Sequence, residues 1–125
     1  MIHTLWQVAL GGGLGALARY LTGVAALRVM GPGFPWGTLA VNVLGAFAMG
    51  MLVVALAQKD ATRLAPFLMT GVLGGFTTFS AFSLDAVAMM ERGQVLLAGF
   101  YVAASVVLSL GAIMMAMSLT RGVLQ

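Results

Sequence analysis

Four apolar runs, residues 4–27, 37–57, 64–90 and 95–119, are joined by links too short to hold any structure of their own. Each run is long enough to cross a hydrocarbon layer of about 30 Å, which takes about 20 helical residues. The breakers and charges collect in the links: Pro32, Gly33 and Pro35 in the first, Lys59, Asp60 and Arg63 in the second, Glu91 and Arg92 in the third. Links this short place consecutive helices antiparallel. The pattern predicts an all-α integral membrane protein, one four-helix domain spanning residues 1–125 with no room for a soluble part. The third run is longer than a straight span needs, which leaves room for tilt or a break.

Composition supports that reading. Hydrophobic residues make up 62% of the chain and charged ones 7%, against about a quarter charged in a soluble domain. The net charge of +3 is small and dispersed, so no basic stripe exists for nucleic acid. There is no cysteine, which removes disulfides, thiol catalysis and cysteine metal sites. No basic n-region of a cleaved signal peptide precedes the first run, so that run is expected to be retained. No Ser/His/Asp set, carboxylate pair or metal-ligand cluster is present, so no enzyme is expected; His3 stands alone at the terminus. The glycines of Gly11–Ala16 follow no strand and precede no suitably spaced acid, which excludes a dinucleotide loop.

Lys/Arg asymmetry orients membrane helices, and here it is almost level. Lys59, Arg63 and Arg121 fall on one side; Arg28 and Arg92 fall on the other, with Arg19 inside the first run. A chain without bias can insert both ways and pair with itself antiparallel. The alternative is that a weak bias still gives one orientation.

Residues 71–83, GVLGGFTTFSAFS, put glycines, hydroxyls and phenylalanines where a lipid-facing helix would carry Leu, Ile and Val. Irregular backbone at that depth must be buried in protein or line a cavity, and a broken helix rich in polar groups reads as an ion site. A break at Gly74–Thr77, near Gly74–Gly75, would free carbonyls suited to a small hard cation. Gly71 and Gly75 would also let two helices approach closely. Phe79 and Phe82, three apart, share a face among hydroxyls, and the positive edge of an aromatic ring can touch a desolvated anion. Ordinary packing is the competing reading of that pair.

Other polar residues sit in register. Thr38 and Asn42 are four apart on the second helix and share a face; the amide can glue two helices or donate to an anion. Tyr101, Ser105 and Ser109 form a hydroxyl stripe on the last helix. That stripe lines a track or bonds back to its own helix. Arg19 and Asp85 are ionisable groups within apolar runs, which makes them functional candidates by default. Arg19 follows Gly11 and Gly15 on a closely packed face and can snorkel towards the interface; Asp85 continues the Phe79/Phe82 face.

Three stretches together resemble the small bacterial fluoride channels of the Fluc or CrcB-like family: residues 12–20 (GGLGALARY), 37–45 (GTLAVNVLG) and 71–83. They occur in the family's order on the first three helices, and the last-helix stripe fits too. The resemblance implies a dual-topology antiparallel homodimer in the cell membrane, with two pores that export fluoride passively and lower its cytoplasmic level. It implies that Phe79, Phe82, Asn42, Thr38, Tyr101, Ser105 and Ser109 line the pore and that Arg19 lies at its vestibule. It further implies a structural Na⁺ at the dimer centre, held by backbone carbonyls of Gly74 and Thr77 from both subunits.

The chain departs from the family at two positions. Ala81 stands where a Thr is usual, which removes a hydroxyl beside the phenylalanines, and Asp85 stands where Glu is usual. Two other classes compete. A small proton-coupled multidrug exporter of dual topology would need an embedded carboxylate, and Asp85 lies near a helix end. A non-transporting assembly factor would leave the hydroxyl stripe without a role.

Overall fold

A computed structural model describes residues 1–125. The protein is all-helical, and four stretches are long and apolar enough to cross a membrane: Ile2–Met30, Trp36–Gln58, Thr62–Glu91 and Val95–Leu124. The first, second and fourth are continuous helices, here α1 (Ile2–Met30), α2 (Trp36–Gln58) and α5 (Val95–Leu124). They extend past the expected limits by up to five residues, because helical hydrogen bonding continues beyond the apolar runs. Gly31 stops α1 with φ 79°, a conformation glycine adopts without a Cβ penalty.

The third span is a composite. A 3₁₀ turn (Thr62–Leu64) leads into a π-helix (Pro66–Leu73), then a single α-turn, α3 (Gly74–Phe76). The chain leaves the helix at Thr77 (φ −86°, ψ 160°) and resumes as α4 (Ser80–Glu91). The wide winding begins at Pro66, whose missing N–H costs nothing in a first helical turn.

The break therefore lies at residues 77–79, after the glycines rather than at Gly74–Gly75. Gly74 is helical, with φ −62° and ψ −37°. The glycines serve close approach instead. A Cβ on Gly75 would stand 2.5 Å from the Gly12 carbonyl oxygen, and one on Gly11 would stand 2.5 Å from that of Phe67. Small residues at such contacts let backbones meet where lipid offers no hydrophobic drive between helices.

On the other side of the molecule α2 lies along α5, and α4 packs onto both. Leu39, Ala86, Met89, Ala98 and Tyr101 form a buried cluster there, flanked by Phe34, Val43, Phe82 and Leu97. Tyr101 is fully buried within it. That cluster places the phenolic oxygen of Tyr101 against α4, next to the break.

A candidate ion pathway along the broken third span

The break leaves backbone groups without helical partners, and side chains from other spans take them up. Asn42 of α2 does most of this. Its Nδ2 donates to the Thr78 carbonyl at 2.9 Å, and the Thr78 N–H donates to its Oδ1 at 2.8 Å. Asn42 is thus a two-point clamp that replaces lost helical hydrogen bonds, and one N–H of its amide is still free to donate. Two local caps complete the turn: the Thr77 hydroxyl donates to the Leu73 carbonyl at 2.9 Å, and the Ala81 N–H donates to the Thr78 hydroxyl at 3.1 Å.

The clamp has a consequence for the carbonyls. Because the Thr78 N–H turns to Asn42, the Gly74 carbonyl has no donor, and the Thr77 carbonyl has none either. The next carbonyl, that of Gly75, accepts from the Nε of Arg19 at 3.0 Å. Arg19 therefore sits against the end of the first half of the span and lines a cavity together with Thr38, Thr78 and Ala81.

Phe79 ends the break instead of lying in a helix with Phe82. Its backbone already has right-handed helical angles, so the two rings still meet, with centroids 5.6 Å apart and planes tilted by 47°. Phe79 is 78% exposed in the isolated chain. A cavity of about 440 Å³ opens beside these rings and is also lined by Asn42, Ser105 and Ser109. Ser105 is 6% exposed, and its buried hydroxyl oxygen has no hydrogen-bond partner. It does not bond back to its own helix as Thr22, Ser83 and Thr120 do. A buried hydroxyl without a partner within the chain is costly, which sets Ser105 apart from the other hydroxyls of the spans.

Thr38 and Tyr101 lie further along. Both donate to one oxygen of Asp85, the threonine at 2.8 Å and the tyrosine at 3.2 Å. Of the expected site residues, Asn42, Phe79, Phe82, Ser105 and Ser109 are gathered at one cavity, Thr38 and Tyr101 at an adjacent carboxylate, and Arg19 behind the break. Asp85 as the acceptor joining α2, α4 and α5 was missed by sequence reasoning. Its spacing from Phe82 placed it on the right face, but nothing in the sequence paired it with Thr38 and Tyr101. Phe34 was also missed: it lies in the α1–α2 link, edge-on to Tyr101, with ring centroids 5.4 Å apart and planes at 90°.

The profile of a known family, CrcB-like protein, Camphor Resistance (CrcB), matches residues 6–117. The chain belongs to the CrcB family. It is 64% identical over 122 residues to the fluoride-specific ion channel FluC of Cereibacter sphaeroides (strain ATCC 17029 / ATH 2.4.9), an alignment covering 98% of each chain. It is 55% identical over 125 residues to the protein of the same name from Ruegeria sp. (strain TM1040), covering 99% of each. The counterpart from Paracoccus denitrificans (strain Pd 1222) is 54% identical over 122 residues, with 98% of each chain covered. As a CrcB-family protein with four such spans, the chain is a multi-pass integral membrane protein and not an enzyme.

Proposed function

We propose that this CrcB-family chain is a passive fluoride channel of the cell membrane; its relatives' names call them fluoride-specific ion channels. The observation that carries the reading is the cavity that gathers Phe79, Phe82, Ser105, Ser109 and Asn42, an amide with one N–H left over from its clamp on Thr78. Fluoride is small and tightly hydrated. A pore that selects it must replace water with closely spaced donors and avoid a fixed cation that would hold it too firmly. Hydroxyl, amide and ring edges meet that need. Hydrogen fluoride is a weak acid that crosses membranes uncharged and ionises in a less acidic cytoplasm, so a passive pore returns the trapped anion outwards. The direct test is electrogenic fluoride efflux from liposomes holding the purified protein; liposomes that retain fluoride would overturn the reading.

The assembly we propose is an antiparallel homodimer of chains inserted in both orientations. The level Lys/Arg tally supports it, as does the exposure of Phe79, a ring the channel reading places in the path. Two or three lysines added to the link at residues 58–63 should fix one orientation and lower flux, and an oppositely biased copy should restore it.

The Gly74 and Thr77 carbonyls suit a Na⁺ shared between two such chains. Both lack hydrogen-bond donors, and Gly74 is exposed. Neutral oxygens without a carboxylate suit a monovalent ion better than Ca²⁺ or Mg²⁺. A cation bound only by the pair would stabilise it by linkage, so exchange of Na⁺ for a bulky organic cation should weaken the dimer reversibly.

The exporter alternative needs a free embedded carboxylate for coupling. Asp85 is engaged by two hydroxyls, which removes the feature that would have favoured it.

A further inference from the structure

The aromatic series does not stop at the two phenylalanines beside the break. Phe82 contacts Tyr101, with ring centroids 5.2 Å apart, Tyr101 meets Phe34, and Phe34 rests on Trp36 at 4.7 Å. The series thus runs from the break to the α1–α2 link. A second cavity, of about 360 Å³, lies beneath that link. Its lining includes Phe34, Thr38, Asp85, Ala88 and Arg92. Thr38 and Asp85 are the groups already hydrogen-bonded to each other, so this cavity adjoins the far side of the Thr38–Asp85–Tyr101 node from the one at Ser105.

We propose that the cavity under the α1–α2 link is an outer mouth of the anion path, with Phe34 as its lid and Arg92 as the charge that admits anions. The proposal rests on the channel reading above and adds an exit and two residues to it. Asp85 alone would make the mouth repel anions. Arg92 is exposed at the end of α4, and its positive charge balances the carboxylate across the same space. An anion entering then meets a wall of no net formal charge, on which Thr38 is hydrogen-bonded to Asp85. Phe34 is half-buried on the cavity wall, its ring plane at 90° to that of Tyr101, in a link where a Cβ on Gly31 or Gly33 would meet nothing within 4 Å.

The chain has no cysteine of its own, so a single introduced thiol reports its site cleanly. Ala88→Cys places one on the cavity wall; Leu96→Cys, 91% exposed at the start of α5, places one outside it. In fluoride-loaded liposomes, a sulfonate-bearing methanethiosulfonate should cut flux at least fivefold in Ala88→Cys and leave Leu96→Cys unchanged. Phe34→Ala should speed modification of that thiol severalfold, and Phe34→Trp should slow it. Arg92→Gln should lower flux about two- to threefold in dilute buffer, the effect of one unit charge acting through solvent, and the difference should vanish at high salt. Phe82→Ile in the same assay reports on the channel reading separately. Full flux after complete modification of Ala88→Cys, verified by mass, overturns the mouth while a blocked Phe82→Ile leaves the channel standing. A silent wild type overturns the channel reading and the mouth with it.

Discussion

The two halves of the third span are held by opposite means. Before the break, the π-helix and α3 lie so close to α1 that backbone meets backbone: a Cβ on Gly71 or Gly75 would press on Gly11 or Gly12, and one on Gly11 on Phe67. After it, α4 is held by side chains, through the Asn42 clamp on Thr78 and the two hydroxyls on Asp85. The first arrangement leaves no side-chain donor over for an anion; the only group it spares at the break is a carbonyl, that of Gly74. The second leaves one donor free, because Asn42 satisfies the Thr78 backbone with only part of its capacity, while Thr38 and Tyr101 spend their protons on Asp85. A glycine contact can hold a membrane helix; an amide can hold it and still bind an ion.

The sharpest way to break this contrast is to put a methyl into the glycine contact. Gly15→Ala drives a Cβ into the Val72 carbonyl and to within 2.8 Å of the Phe76 nitrogen. Backbone cannot yield as a side chain can, so the cost should exceed the roughly 1–3 kcal/mol of ordinary overpacking. No monodisperse protein should be recovered in detergent. Gly13→Ala, with nothing within 4 Å of its new Cβ, should purify and conduct as wild type. Equal behaviour of the two would mean that close approach does not hold this half.

The clamp is next in size. Asn42→Asp exchanges the donor facing the Thr78 carbonyl for an acceptor, leaving that oxygen opposed by a like dipole or charge. An unmet buried group costs about 1–3 kcal/mol. Fluoride flux should be nearly abolished and the melting temperature lowered, because one residue does both tasks. Loss of flux at an unchanged melting temperature would separate them and assign Asn42 to the ion alone.

How much of this was legible in the sequence follows the same division. Four spans and their antiparallel order were readable from hydropathy and link length, because lipid imposes both. Close contact of Gly71 and Gly75 was readable from small residues four apart. The break was placed too early, since glycine marks both flexible backbone and close packing, and only the position of α1 decides between them. The true break falls at Thr77 to Phe79, where Asn42, thirty-six residues away from Thr78, supplies the bonds. No local signal encodes such a partner. The Asp85 node was hidden for the same reason: its three members lie on three helices, and the register between helices is a property of packing.

Within the polar half, the rings and the clamp can be told apart. Phe82→Ile keeps apolar bulk but removes the electropositive edge beside Phe79. Phe82 flanks the buried cluster without belonging to its fully buried set, so the cost in stability should stay below about 2 kcal/mol. Flux should fall at least tenfold with assembly intact by size-exclusion chromatography. A variant that conducts normally would mean that the rings only pack.

Ser105 gives the smallest effect and the cleanest sign. A hydroxyl that serves the fold is missed when removed; a hydroxyl buried without a partner is not. Ser105→Ala deletes an oxygen that makes no bond within the chain, so the protein should be unchanged in stability or gain up to about 1 kcal/mol. The same change takes a donor out of the cavity between Asn42 and the phenylalanines, and fluoride efflux should slow severalfold. Structural damage would lower both quantities together, and lipid-facing irrelevance would move neither. Only a group kept free for an ion gives stability that holds or rises while flux falls. Ser105→Thr, which keeps the hydroxyl on a branched side chain, should recover part of the rate. A melting temperature that drops in Ser105→Ala would show that the hydroxyl has a structural partner after all and would withdraw it from the path.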